Sequence, residues 1–143
     1  MRVFAVILLA AAALSCGIAA AGQQTSATSV QSQTLLTTDS SWDGVPYTSY
    51  PSGQPELSVL KITIPPHTQL KWHTHPMPNA GYIVSGEITV EEKDGDKKKH
   101  FTAGQVVPET VGTVHRGVTG DEPVVLIVFY AGAKGLPLSH VLP

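Results

Sequence analysis

Cysteine is almost absent: the chain of 143 residues has one, Cys16. A disulfide needs a pair and a thiolate metal site needs several sulfurs, so neither can organise this protein. Charge is also sparse, at 14%, with nine Lys and Arg against eleven Asp and Glu. The resulting net charge of -2 leaves no basic excess to meet a phosphate backbone, which argues against a nucleic-acid partner. There is no glycine-rich phosphate loop, no G-x-S-x-G elbow and no H-E-x-x-H helix. Long apolar runs are missing beyond one, Val3 to Leu14.

That run follows Met1 and Arg2 and leads to Ala19-Ala20-Ala21, a small-x-small pattern. A short positive start, an apolar stretch and a small-residue cleavage site read as a secretory signal peptide over 1–21. Two other readings exist. A membrane anchor needs a span of about 20 residues, and the run is shorter, so no stable membrane anchor is expected. Lipidation at Cys16 would make a lipoprotein, but Ala13-Leu14-Ser15-Cys16 is a poor lipobox because its first residue is Ala. The expected location is therefore secreted or periplasmic, and cleavage after Ala21 would remove the cysteine.

Residues 22–41 are rich in Gln, Ser and Thr and lack a hydrophobic period apart from Leu35-Leu36, which reads as a flexible low-complexity leader. A single domain is expected over 42–143. From residue 56 the pattern is short β-branched runs between turns: Leu57 to Ile64 ended by Pro65-Pro66, Gly81 to Val84 and Glu87 to Glu92 about Ser85-Gly86, and Lys97 to Phe101 after a tight turn at Asp94-Gly95. Gln105 to Val107, Thr113 to Val118 and Pro123 to Tyr130 complete the set. No window keeps a helical period for three turns. Some seven strands at this spacing predict an all-β sandwich or barrel.

The chemistry resides in histidines. His73-Thr74-His75 places two imidazoles on one face of an extended segment, where they can share an ion only if the chain curves around it. His115 lies 40 residues further on in another β-rich segment. Neutral imidazole is a common donor for divalent transition metals. An isolated H-x-H is weak evidence, since such a pair is also found simply hydrogen-bonded or exposed.

The spacing around these residues resembles the two motifs of the cupin superfamily. The first motif, a Gly, then His-x-His, a Glu and a Gly, falls on His67, His73, His75, Asn79 and Gly86. The second, a Gly, then Pro-x-Gly, a His and an Asn, falls on Gly104, Thr110, Gly112, His115 and Thr119. Six of these ten positions match, with all three histidines among them, and Tyr82 to Glu87 is similar to the Tyr-Val-Leu-x-Gly-Glu strand of the family. The resemblance covers about residues 57 to 130. It implies a double-stranded β-helix, a cupin jelly-roll barrel holding a metal at its wide mouth, and a homodimer formed through edge strands.

The departures carry meaning. His67 in place of Gly implies a turn that needs no positive φ. Thr110 and Thr119, in place of a turn Pro and an Asn, are expected to alter how the backbone is fixed more than the chemistry. Asn79 stands where metal-binding cupins carry a carboxylate. Three readings follow: a three-His site completed by water, a weak fourth bond from the Asn79 amide, or a site that binds organic ligands alone. Three-His sites occur among iron dioxygenases of thiols and diketones, so the resemblance implies a divalent ion, with Fe first and Mn, Ni or Zn as alternatives.

Around this centre, Glu109 reads as a surface carboxylate with a proton-carrying role as the alternative. Lys71 and Gln69 share strand parity with His73 and are candidates for the pocket, Lys71 also as a weak catalytic candidate. Trp72 has the opposite parity and reads as core. Tyr82, Phe129 and Tyr130 are candidates for the pocket mouth, with core packing an equal alternative. His100 and His140 read as surface residues, and Asp94 to Lys99 as a solvated hairpin tip. The expected function is that of a dioxygenase-type oxidoreductase acting on a small, anionic, chelating molecule. A non-catalytic binding module and a cupin isomerase or lyase are the alternatives.

Overall fold

The alternation of Leu57 to Ile64 becomes strand β1 (Pro55–Ile64), in which Leu60, Ile62 and Ile64 turn inward while Leu57, Val59, Lys61 and Thr63 face out. Its neighbours are β2 (His73–Thr74), β3 (Asn79–Ser85), β4 (Glu87–Glu92), β5 (Lys98–Thr102), β6 (Val106–Pro108), β7 (His115–Thr119), β8 (Val124–Ala133) and β9 (His140–Val141). The computed structural model describes residues 29–143, and the account below concerns the unit Gln33–Pro143. The expected signal peptide 1–21 and Cys16 lie outside the described residues.

Every pairing is antiparallel. One sheet has the order β1-β8-β3-β6 and the other β5-β4-β7-β2-β9. β1 and β8 pair without a break from Pro55↔Ala133 to Ile64↔Val124. Period-2 burial then sends alternate side chains between the sheets: Ile64, Ile83, Val124, Leu126 and Val128 from one meet Ile88, Val90 and Phe101 from the other. The all-β expectation holds, and no helix occurs among the described residues.

The seven anticipated strands appear with ends shifted by a residue or a few. Two further elements carry no sequence pattern. β2 and β9 are two residues each, too short to produce one, and are held by the pairs His73↔Val141 and Thr74↔His140. At the β3–β4 corner the ladder shifts between Ile83 and Ser85, and Gly86 takes φ 77°. The Asp94-Gly95 tip is wider than a two-residue turn: Glu92 N–H closes it on Lys97 O at 3.1 Å, and Gly95 is not among the positive-φ glycines.

His67 corrects its expectation. It adopts φ 50°, so this turn does need the left-handed conformation, and an exposed His bears the Cβ strain that a Gly would avoid. The stretch read as a leader is anchored at its C-terminal end. Ser40 bridges Pro46, Tyr47 N–H reaches Asp39 O at 2.8 Å, and Trp42 N–H reaches Pro108 O at 2.8 Å. Trp42 itself is buried.

Candidate metal centre

β2 and β7 bring His73 opposite His115. His75 lies one residue past the end of β2, where Gly112 N–H holds its carbonyl at 3.0 Å. The chain thus curves, as sharing an ion requires. Ring centroids lie 4.5 Å apart for His73 and His115, 5.0 Å for His73 and His75, and 5.2 Å for His75 and His115. One nitrogen from each imidazole lies within 4.8 Å of the others.

Hydrogen bonds decide which nitrogen is free. His73 Nδ1 lies 2.8 Å from Lys71 O, and His75 Nδ1 lies 2.7 Å from Leu138 O. His115 Nδ1 lies 2.9 Å from Thr113 O. A carbonyl oxygen only accepts, so each Nδ1 bears the hydrogen and each neutral ring keeps its lone pair on Nε2. Fixing the tautomer from the rear in this way is how proteins prepare metal-ligating histidines. Thr110 adds a second hold: its Oγ1 lies 2.9 Å from His115 Nδ1, with both side chains fully buried. Its contribution is therefore to the imidazole as well as to the backbone. Thr119 conforms to expectation, accepting Thr68 N–H and donating to Pro65 O.

The rings stand in a small cavity of about 80 Å³ between the two sheets. Its walls are mostly aliphatic, among them Ile62, Leu70, Val107 and Leu126, with Asn79, Glu109 and Tyr130 as further polar groups. Burial holds His73 and His75 below their ordinary pKa of 6.5, which favours the neutral, lone-pair-bearing form. For His115 burial acts the same way, but the adjacent Glu109 carboxylate more than offsets it and the pKa rises. Burial alone would raise the Glu109 carboxyl, yet the three imidazoles, His115 foremost, pull it below its ordinary value. Tyr130, 5.8 Å from His75 between ring centroids, is raised by burial and then by Glu109, and keeps its proton.

The candidates from sequence separate clearly. His73, His75, His115, Asn79, Glu109 and Tyr130 meet at the cavity. Gln69 and Lys71 do not: both are exposed, and Leu70 faces inward instead. Gln69 bridges Val118, but His73 pairs with His115 rather than with Val114, so the register slips by one residue between them and the parity of His73 does not carry back to Gln69. Tyr82 lies on the opposite face of β3 from Asn79, Gly81 and Ile83, and Phe129 is 42% exposed on the outside of its sheet. Trp72 is part-buried under the Arg116 guanidinium, 4.2 Å from the ring, rather than in the core. Glu109 is not a surface group, since its side chain is 16% exposed and its Oε2 is buried.

Unmet valences test whether the donors fit a cation. Four buried side-chain polar atoms lack a hydrogen-bond partner among the described residues, and three belong to this cavity: Asn79 Oδ1, Glu109 Oε2 and His115 Nε2. Each is a lone-pair donor once the His115 tautomer is fixed as above. Unsatisfied buried acceptors are costly, and a divalent cation would meet the need of His115 Nε2 and Glu109 Oε2 directly and that of Asn79 Oδ1 directly or through a water that the ion holds. The residues fit.

The cupin-domain family model matches residues 60–130, the span holding both motifs. The chain belongs to the cupin superfamily. No curated protein matches the sequence. Solved structures resemble this cupin at the level of fold. DMSP lyase DddQ from Ruegeria pomeroyi aligns at 21% identity with a TM-score of 0.53, over 68% of this chain and 46% of the lyase. An uncharacterised protein with a double-stranded β-helix domain from Klebsiella pneumoniae gives 21% and 0.51 over 66% and 84% of the two chains. Oxalate decarboxylase from Lactobacillus farciminis gives 22% and 0.52 over 62% and 27%. The cupin thus spans under half the length of either enzyme. The all-β reading becomes the double-stranded β-helix of these neighbours, and their differing activities show that the fold does not choose a reaction.

Proposed function

We propose that this cupin is a metal-dependent enzyme acting on a small, anionic, chelating organic molecule, with oxidation by dioxygen as its reaction class. One observation carries the reading: three imidazoles, each anchored through Nδ1–H, turn their free nitrogens towards one point in an apolar cavity. His73, His75 and His115 would hold the ion. A bound divalent iron would supply Lewis acidity and one-electron redox capacity, and Mn, Ni or Zn would fit the same nitrogen donors.

The protein's own part is binding and placement. The aliphatic walls exclude water and strengthen electrostatic attraction at the cavity floor. Three neutral imidazoles remove none of the ion's charge and Glu109 only one unit, so the floor stays positive and favours an anionic chelator. Tyr130 keeps its proton and offers a hydrogen bond to a ligand oxygen. The apolar segment after Arg2 supports action outside the cytoplasm.

Metal analysis of protein purified without a His tag tests the reading, followed by oxygen-uptake assays with diketones, thiols and flavonols. One equivalent of iron and uptake with a chelating substrate are expected. Turnover without oxygen consumption would replace dioxygenase with isomerase or lyase, and ligand binding without turnover would favour the binding module. Failure to take up any divalent ion would sink the metal reading itself.

A further inference from the structure

We infer that Glu109 supplies the carboxylate of the metal centre across the sheet from the position where the first motif would place it, giving a ligand set of His73, His75, His115 and Glu109. This rests on the metal-binding reading above. It is a statement about how the site is rebuilt with Asn79 in the usual carboxylate position.

The ladder explains how. β3 and β6 pair Gly81 with Val107 and Ala80 with Pro108. One step further along this register, Glu109 lies opposite Asn79, and its N–H reaches Asn79 O at 3.0 Å. Directly opposed residues project from the same face with Cβ atoms about 4.5–5.5 Å apart. A side chain as long as Glu at position 109 therefore reaches much of the space that a Glu would reach from position 79. Both side chains line the cavity. Glu109 is also held from its other side, since Tyr47 Oη–H donates to its carbonyl at 2.8 Å. A carboxylate clamped through both backbone groups is positioned, not merely nearby.

The second observation concerns the atoms themselves. Glu109 Oε2 lies 3.2 Å from His115 Nε2, yet neither makes a hydrogen bond. His115 carries its hydrogen on Nδ1, toward Thr113 O. With His115 neutral, its Nε2 lone pair faces the Glu109 carboxylate in a site where His115 is 1% exposed. A positive charge is needed between the two atoms; a proton on Nε2 would supply it for this pair alone, whereas an ion shared by the imidazoles supplies it and takes up the nitrogens of His73 and His75 as well. Asn79 is the weaker competitor. Its Nδ2–H is spent on Met77 O at 3.2 Å, and its free Oδ1 is neutral, so a cation gains less from it than from a carboxylate. Asn79 Oδ1 is left to accept a hydrogen bond from a ligand or water at the ion.

The test is a carboxylate swap in the untagged, metal-free protein, read by calorimetric titration with Zn²⁺ and by the visible absorption of Co²⁺. Glu109→Gln is expected to weaken Zn²⁺ binding by about 100-fold, at the upper end of what outer partners alone produce, and to alter the Co²⁺ spectrum. Asn79→Ala is expected to stay within about threefold of the parent. The double variant Asn79→Glu/Glu109→Gln moves the carboxylate to the opposite strand and is expected to recover binding to within about tenfold. It guards against a folding artefact, because recovery in a chain that still carries the Glu109→Gln change shows that the loss came from the missing charge. Parent-like affinity and Co²⁺ spectrum in Glu109→Gln, or no recovery by the double variant, would overturn the assignment of Glu109 while leaving the three-His site standing. Absence of Zn²⁺ binding by the parent would overturn both.

Discussion

Thr110 Oγ1 meets His115 Nδ1 at 2.9 Å inside the protein, where neither side chain meets solvent. The same hydroxyl donates to Thr113 O at 3.3 Å, the carbonyl that also receives His115 Nδ1–H. The imidazole is therefore held between a hydroxyl and a carbonyl that are themselves linked. Thr110→Val keeps the shape and deletes the hydroxyl. Zn²⁺ affinity is expected to fall about tenfold, in the range typical of outer partners of metal ligands, with a loss of about 1 kcal/mol in stability. Thr110→Ser should stay near the parent in affinity. Titration of both variants checks this, and equal affinities for Val and Ser would show that the hydroxyl does not orient the ring.

The three histidines should act as one unit. Replacing His73, His75 or His115 by Ala removes one of three convergent nitrogens and should empty the site under conditions that load the parent. His100 bonds Thr89 Oγ1 on the exposed surface, so His100→Ala should keep full occupancy. Metal per chain by elemental analysis decides the matter, and one equivalent retained without His115 would break the shared-site model.

Much of this centre is legible in the sequence, because motif spacing is a property of the chain and survives without coordinates. His73, His75 and His115 stand out that way, and strand periodicity is legible for the same reason. What is not legible depends on register. Glu109 looks like any polar residue before a turn until Ala80 is known to face Pro108; only then does it stand opposite Asn79. A signal exists, since each motif contributes a strand to one ladder, but pairing has to be assumed to use it. Gln69 and Lys71 fail for the converse reason. Parity does not extend over residues outside regular strand, and Leu70 takes the inward position. His67 fails because a positive φ is a property of the turn, which a non-Gly residue can adopt at a cost of about 1–2 kcal/mol.

Gly86 should be far less tolerant than His67. It has φ +77°, and a Cβ built there would stand 2.3 Å from Pro123 O, with two further backbone atoms at 3.1 Å. Backbone cannot swing aside as a side chain can, so strain and clash act together at the β3–β4 corner. Gly86→Ala is expected to cost about 3 kcal/mol or more, a large value for a single substitution. Urea unfolding of the metal-free protein measures it, and a cost below about 1 kcal/mol would contradict this corner geometry.

Glu91 gives a prediction for pH that is independent of the metal centre. Its side chain is 9% exposed, with Oε2 at 2.6 Å from Lys98 Nζ and Oε1 at 2.7 Å from both Arg116 Nε and Nη2. The hydrogen bond to Lys98, followed by that to Arg116, holds its carboxyl below the ordinary 4.5 despite burial. A carboxyl whose pKa is lower folded than unfolded binds protons more weakly in the native state. Its contribution to stability is therefore complete above the ordinary value of 4.5 and is lost as the pH falls through the lower, folded value. Glu91→Gln removes that contribution and leaves Arg116 without its anion. At pH 7 the variant is expected to be less stable by about 1–3 kcal/mol, and the gap to the parent should narrow below the ordinary 4.5. Comparing variant with parent cancels the titration of groups common to both. Urea unfolding of the chelator-treated proteins at about pH 7, 5 and 3.5 checks the sign, and a gap that widened on acidification would show that Glu91 is not held ionised by Lys98 and Arg116.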